Sequence, residues 1–140
     1  MDESEHGIAV CWALTHRIRI LSVDDNALLR EGLAAVIGNQ RDMLLVAQAA
    51  NGVDALQQFR DHRPDITLMD LRLPRLNGID TMFAIHAEFP GARIIVLTTF
   101  EDESESRRAL GAGACGYLLK DTPPAELMQA IRRVHSGSPA

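Results

Sequence analysis

Between residues 17 and 137 the chain passes five times from a short apolar or β-branched run into a longer stretch of helical period. No other feature of its 140 residues constrains the fold as strongly. The short runs are 18–23, 44–49, 66–69, 93–98 and 116–119. After the first run, Leu29, Leu33, Val36 and Ile37 share one helical face, and Gly38 is a stop signal. Val53, Leu56 and Phe59 follow the second run, and Met82, Phe83 and Ile85 follow the third, closed by Pro90-Gly91. A weak helix is expected over 103–110. The last helix is expected to open at Thr122-Pro123-Pro124, to bury Leu127, Ile131 and Val134 at i, i+4 and i+7, and to end at Gly137. Strands alternating with helices predict an α/β protein: a parallel sheet with helices on both faces. Strands buried on both sides read as near-continuous apolar runs, as the first, third and fourth do here. Right-handed crossovers leave few topologies open.

Residues 1–16 break the pattern and have neither a clear period nor a capping signal. They are expected to be a disordered or loosely attached extension; a partner-binding segment built on Ile8, Val10, Trp12 and Leu14 is the alternative. Residues 17–137 form the expected domain, and 138–140 the start of a linker or a tail. Aromatics are 4% of the chain, so the core has to come from Leu, Ile, Val, Ala and Met. Fourteen basic against nineteen acidic residues give a net charge of −5, which excludes a basic footprint for nucleic acid. Two cysteines, Cys11 and Cys115, lack CxxC spacing and suit free thiols in a reducing cytosol. No apolar run approaches a membrane span, and the acidic start (Asp2, Glu3, Glu5) is unlike a secretory signal.

In open parallel sheets, ligands sit outside the carboxyl ends of the strands. The first strand runs into Asp24-Asp25, the third ends in Asp70, the fourth in Thr98, and the fifth is followed by Lys120. Taken singly, each is as well explained as a loop residue, a solvated side chain or, for Asp25 and Asn26, a helix cap. Together they make three carboxylates, a hydroxyl and an ammonium at one sheet edge. Clustered carboxylates repel unless a cation lies among them, and an oxygen-rich set suits Mg²⁺. Lys120 offers a compact positive charge for an anionic phosphoryl group, and Thr98 a hydrogen bond to it.

The stretches Leu21-Ser22-Val23-Asp24-Asp25-Asn26, Leu68-Met69-Asp70-Leu71-Arg72-Leu73-Pro74, Val96-Leu97-Thr98-Thr99-Phe100 and Gly116-Tyr117-Leu118-Leu119-Lys120-Asp121 resemble the receiver domain of two-component response regulators, in its NarL/FixJ (LuxR-type) branch. The resemblance implies a flavodoxin-like (βα)5 doubly wound fold with strand order 2-1-3-4-5. It implies that Asp70 accepts a phosphoryl group from a sensor histidine kinase or a small donor such as acetyl phosphate. Asp25, Asp70 and the Arg72 carbonyl would hold Mg²⁺, with Asp24 contributing through water. Lys120 and Thr98 would bind the phosphoryl oxygens, and Thr98 with Tyr117 would form the switch. The branch further implies a cytoplasmic regulator of transcription that reaches DNA through a helix-turn-helix domain absent from this chain. Homodimerisation on phosphorylation would use the first or fifth helix faces, or the surface around the fourth helix. Asn26 stands where the branch often has His, and Asp121 where many receivers have Pro. The segment Glu101-Asp102-Glu103-Ser104-Glu105-Ser106 is unusually polar, so the fourth helix is expected to be short or mobile, with little apolar docking surface.

Two other classes compete. A Mg²⁺-dependent phosphohydrolase would want a second acid two residues after its nucleophile, where this chain has Arg72, and a cap domain for which 140 residues leave no room. A receiver fold that only binds partners would not need the full set of Asp24, Asp25, Asp70, Thr98 and Lys120.

Overall fold

The computed structural model describes residues 17–137; the extension 1–16 with Cys11, and residues 138–140, lie outside the described residues. Five parallel strands, β1 (Ile18–Val23), β2 (Met43–Ala49), β3 (Ile66–Asp70), β4 (Ile94–Thr98) and β5 (Gly116–Leu119), form one sheet in the order β2-β1-β3-β4-β5. Five helices follow them in turn: α1 (Ala27–Gly38), α2 (Gly52–His62), α3 (Gly78–Glu88), α4 (Glu103–Gly111) and α5 (Pro124–His135).

Helices cover both faces of the sheet, so the alternating side chains of the central strands are buried whichever way they point, the polar Thr67, Asp70 and Thr98 included. In β3 and β4 every residue is buried. Met69, Ile94 and Val96 point to one face and pack with Ala55 and Phe59 of α2, Met82 and Ile85 of α3 and Ala109 of α4. Their neighbours Ile66, Leu68, Ile95 and Leu97 point to the other face, against Ile37 of α1 and Leu127, Met128, Ile131 and Val134 of α5. Each strand thus feeds two cores. The edge strand β2 has a mixed burial pattern and carries an irregularity in its register with β1, between Ile20 and Leu21.

Capping chemistry sets where the helices start. Asn26 accepts from the Leu28 and Leu29 amides to open α1. α2 and α3 begin with the same four-residue device, Asn51-Gly52-Val53-Asp54 and Asn77-Gly78-Ile79-Asp80. In each, the Asn side chain accepts from the Asp backbone amide and its Nδ2 donates back to the Asp carboxylate. A Cβ on Gly52 would collide with the Leu76 carbonyl and the Thr81 hydroxyl, and one on Gly78 with the Asp70 carbonyl. Asn77-Gly78 is therefore a cap that presses α3 against the end of β3.

α5 opens within the expected Thr122-Pro123-Pro124, with Pro123 at the cap position without a side-chain bond and Pro124 as the first helical residue. Two strand starts move by one residue. β4 starts one residue late, at Ile94, although the Arg93 carbonyl still accepts from the Thr67 amide at 2.9 Å; the Arg93 guanidinium reaches the Val134 and His135 carbonyls at the end of α5, 3.2 and 2.6 Å away. β2 starts one residue early, at Met43. α4, at nine residues, is the shortest helix and buries only Ala109, in line with its polar sequence.

Candidate functional site

Register brings the strand ends level. Val23 pairs with Met69, Asp70 with Leu97, and Thr98 with Leu119. Asp24, Asp70, Thr98 and Lys120 therefore share the carboxyl edge of the sheet, beside the switch in strand order between β1 and β3. One oxygen from each of Asp24, Asp25 and Asp70 can be chosen so that all three lie within 4.8 Å of one another.

Asp24 and Asp70 are only 3% and 6% exposed, whereas Asp25 is exposed. Each buried carboxylate divides its oxygens in the same way. One takes a backbone amide: Asp24 Oδ1 accepts from Asn26 at 2.8 Å, and Asp70 Oδ1 from Arg72 at 3.2 Å. The other faces Lys120, whose Nζ lies 2.8 Å from Asp24 Oδ2 and 3.1 Å from Asp70 Oδ2. Arg30, one turn into α1, donates to the Asp24 carbonyl and ties the helix to the strand end.

Burial pushes the Asp70 carboxyl above its ordinary range; the Lys120 and Arg72 hydrogen bonds oppose this only in part, and the Asp24 charge adds to it. For Lys120, burial alone would lower the ammonium, but the hydrogen bonds it donates to Asp24 and Asp70 prevail and hold it above its ordinary range. Three carboxylates against one ammonium leave two negative charges uncompensated. The donors are all oxygen, and a hard divalent cation fits both the charge and the chemistry. Asp24, Asp25 and Asp70 could hold such an ion.

The other expected site residues are placed differently. The Arg72 side chain is exposed, its guanidinium 6.0 Å from the Phe100 ring centroid. Thr98 is buried at 4% exposure, but its hydroxyl bonds to Glu105 Oε1 at 3.1 Å and to the Phe100 carbonyl at 3.3 Å, with no hydrogen bond to Asp70. The Tyr117 phenol donates to the same Glu105 oxygen at 3.0 Å. Burial, followed by the Glu105 carboxylate, pushes that phenol above its ordinary range. Sequence reasoning passed over Glu105. The signal available was the spacing Asp102-x-x-Glu105, a capping pattern that places Glu105 in the first turn of α4; the Asp102 side chain accepts from its amide.

Residues 20–132 match the response regulator receiver domain family. The chain belongs to that family. The receiver domain is 41% identical over 121 residues to the uncharacterized transcriptional regulatory protein YxjL of Bacillus subtilis, covering 86% of this chain and 56% of that protein. It is 39% identical to the oxygen regulatory protein NreC of Staphylococcus epidermidis over the same shares of each. The chain thus spans just over half the length of the curated relatives it matches. Among solved structures it is similar to a LuxR-family two-component response regulator from Aurantimonas sp. SI85-9A1, with a TM-score of 0.84, 37% identity and 89% of each chain covered. It is also similar to the signal receiver domain of the putative response regulator NarL from Mycobacterium tuberculosis, with a TM-score of 0.83, 28% identity, and 87% and 98% covered. The receiver domain's relatives therefore include the NarL and LuxR-type regulators that its motifs resemble. Among the described residues no helix is long and apolar enough to cross a membrane.

Proposed function

We propose that this receiver domain accepts a phosphoryl group on Asp70, from a sensor histidine kinase or a small donor such as acetyl phosphate, in a Mg²⁺-dependent reaction. The observation that carries the reading is the sharing of one Lys120 ammonium by two buried carboxylates at level strand ends, with a third beside them. An Asp70 carboxylate oxygen attacks phosphorus. The new P–O bond makes an acyl phosphate, and the bond to the donor's nitrogen or oxygen breaks with its electron pair leaving on the donor. Asp24, Asp25, Asp70 and the Arg72 carbonyl would hold the ion, which when bound offsets the charge that gathers as anion meets anion. Lys120, already beside Asp70, stays to pair with a phosphoryl oxygen. Thr98 donates to another once its hydroxyl turns, and Tyr117 moves with it.

The domain acts as a switch rather than a turnover enzyme: two residues after Asp70 stands the exposed Arg72, not an acid that could protonate a leaving group. Residues 17–137 are the functional unit. The setting is the cytoplasm, the phosphorylated form dimerises, and control of transcription passes through a DNA-binding domain outside these 140 residues. The net charge of −5 supports leaving DNA contact to another domain. Incubation with Mg²⁺ and acetyl phosphate, followed by intact mass measurement, tests the reading. A gain of one phosphoryl group that disappears in Asp70→Asn is expected; a wild type that gains nothing and binds no Mg²⁺ would sink it.

A further inference from the structure

Two hydroxyls of the fourth and fifth strands meet on one carboxylate. Glu105 Oε1 accepts from Thr98 Oγ1 at 3.1 Å and from Tyr117 Oη at 3.0 Å. The Phe100 carbonyl lies behind it as a longer second acceptor for both, at 3.3 and 3.4 Å. Glu105 is held in place from its own side, because the Asp102 carboxylate accepts from the Ser104 and Glu105 amides and fixes the first turn of α4. Thr98 has one hydroxyl proton and no room to share it widely, being 4% exposed. Donation to Glu105 and donation to a phosphoryl oxygen on Asp70 are therefore alternatives.

We propose that Glu105 is a positioning residue of the switch: its carboxylate competes with phosphorylated Asp70 for the Thr98 hydroxyl, and while it holds that proton it also anchors Tyr117 in the unphosphorylated arrangement. This rests on the phosphoacceptor reading of Asp70 and adds a residue to its regulation. A carboxylate is the strong form of acceptor, so the clamp has real weight against activation. It also has a built-in release. The new phosphoryl charge attracts the Thr98 proton, and Tyr117 then loses the partner that joins it to Thr98. α4 can yield, since only Ala109 of its nine residues is buried. Losing a hydrogen bond to a charged group moves such an equilibrium by about tenfold.

The full chain, titrated with beryllofluoride and Mg²⁺ and followed by amide NMR, tests this. In Glu105→Ala the midpoint should fall about tenfold. The free variant's signals at 98–100 and 117 should already lie along the line from free to liganded wild type. Glu105→Gln keeps an acceptor oxygen without the charge and should fall between, about threefold. Glu103→Gln removes a charge from the same helix at a residue that, among the described residues, pairs with Arg107 alone, and should leave the midpoint where it was. A wild-type midpoint in Glu105→Ala and Glu105→Gln, with wild-type free signals, overturns the clamp while leaving the phosphoacceptor reading intact. A wild type that takes neither beryllofluoride nor a phosphoryl group overturns both.

Discussion

The two flanks of the carboxyl edge are built differently. On the β1–β3 side, Asp24 and Asp70 are buried and each is fixed by a backbone amide, Asn26 caps the helix behind them, and Gly78 brings α3 hard against the Asp70 backbone. On the β4–β5 side, Thr98 and Tyr117 depend on the side chain of a helix that buries one alanine, whereas α5 buries Leu127, Met128, Ala130, Ile131 and Val134. The first flank is held by backbone amides and a close backbone approach at Gly78, which have no near-equal alternative. The second is held by hydrogen bonds between side chains, which can be exchanged one for another at small net cost. A site that must both position a reaction and report on it needs one flank of each kind.

That contrast can be broken most forcefully in the core. Met82→Ala, in α3 behind the acidic flank and fully buried, should lower unfolding stability by about 2–5 kcal/mol, whereas Ala109→Gly in α4 should cost about 1 kcal/mol. Equal losses in denaturant titrations would erase the distinction. Next in size, Lys120→Gln leaves two buried carboxylates without their ammonium. In EDTA it should cost about 2 kcal/mol, and Mg²⁺ should restore part of that. Asp70→Asn should act in the opposite direction in EDTA and raise Tm. Burial makes the folded state hold the Asp70 proton to higher pH than the unfolded chain does. Stability is therefore lost as pH rises out of the ordinary carboxylate range, and the Asn variant escapes that loss. The Tm gap between variant and wild type should widen from acid to neutral pH; a constant gap would point to packing instead. The smallest effect is expected far from either flank. Asp42 is held below the ordinary carboxylate range chiefly by its hydrogen bond from Arg132. The pair is 44% and 40% exposed, so Asp42→Asn should cost under about 1 kcal/mol at neutral pH. That difference should vanish as acid protonates the wild-type carboxylate.

The rigid flank was legible in the sequence, and the exchangeable one only in part. Strands 18–23 and 66–69 announce themselves by near-continuous apolar runs. In such a fold the residue at the carboxyl end of a strand already stands at the ligand edge, so Asp24, Asp25 and Asp70 could be placed together from order alone. Lys120 could be placed by the same rule. Glu105 could not, because in a stretch of five acidic or hydroxyl residues around it nothing local tells a carboxylate turned to the sheet from one turned to water. The twin Asn-Gly-x-Asp caps were passed over for a related reason. Asn-Gly reads as a turn until one knows that a backbone passes too close for any larger residue.

The period-two sheet has one more consequence, for tolerance of length change. Within β3 each residue is assigned to a core by parity: Ile66 and Leu68 to one, Met69 to the other. Inserting or deleting a single residue there would exchange the two sets and carry Asp70 off the edge in the same stroke. The central strands thus behave like a reading frame, in which chemistry and packing fail together.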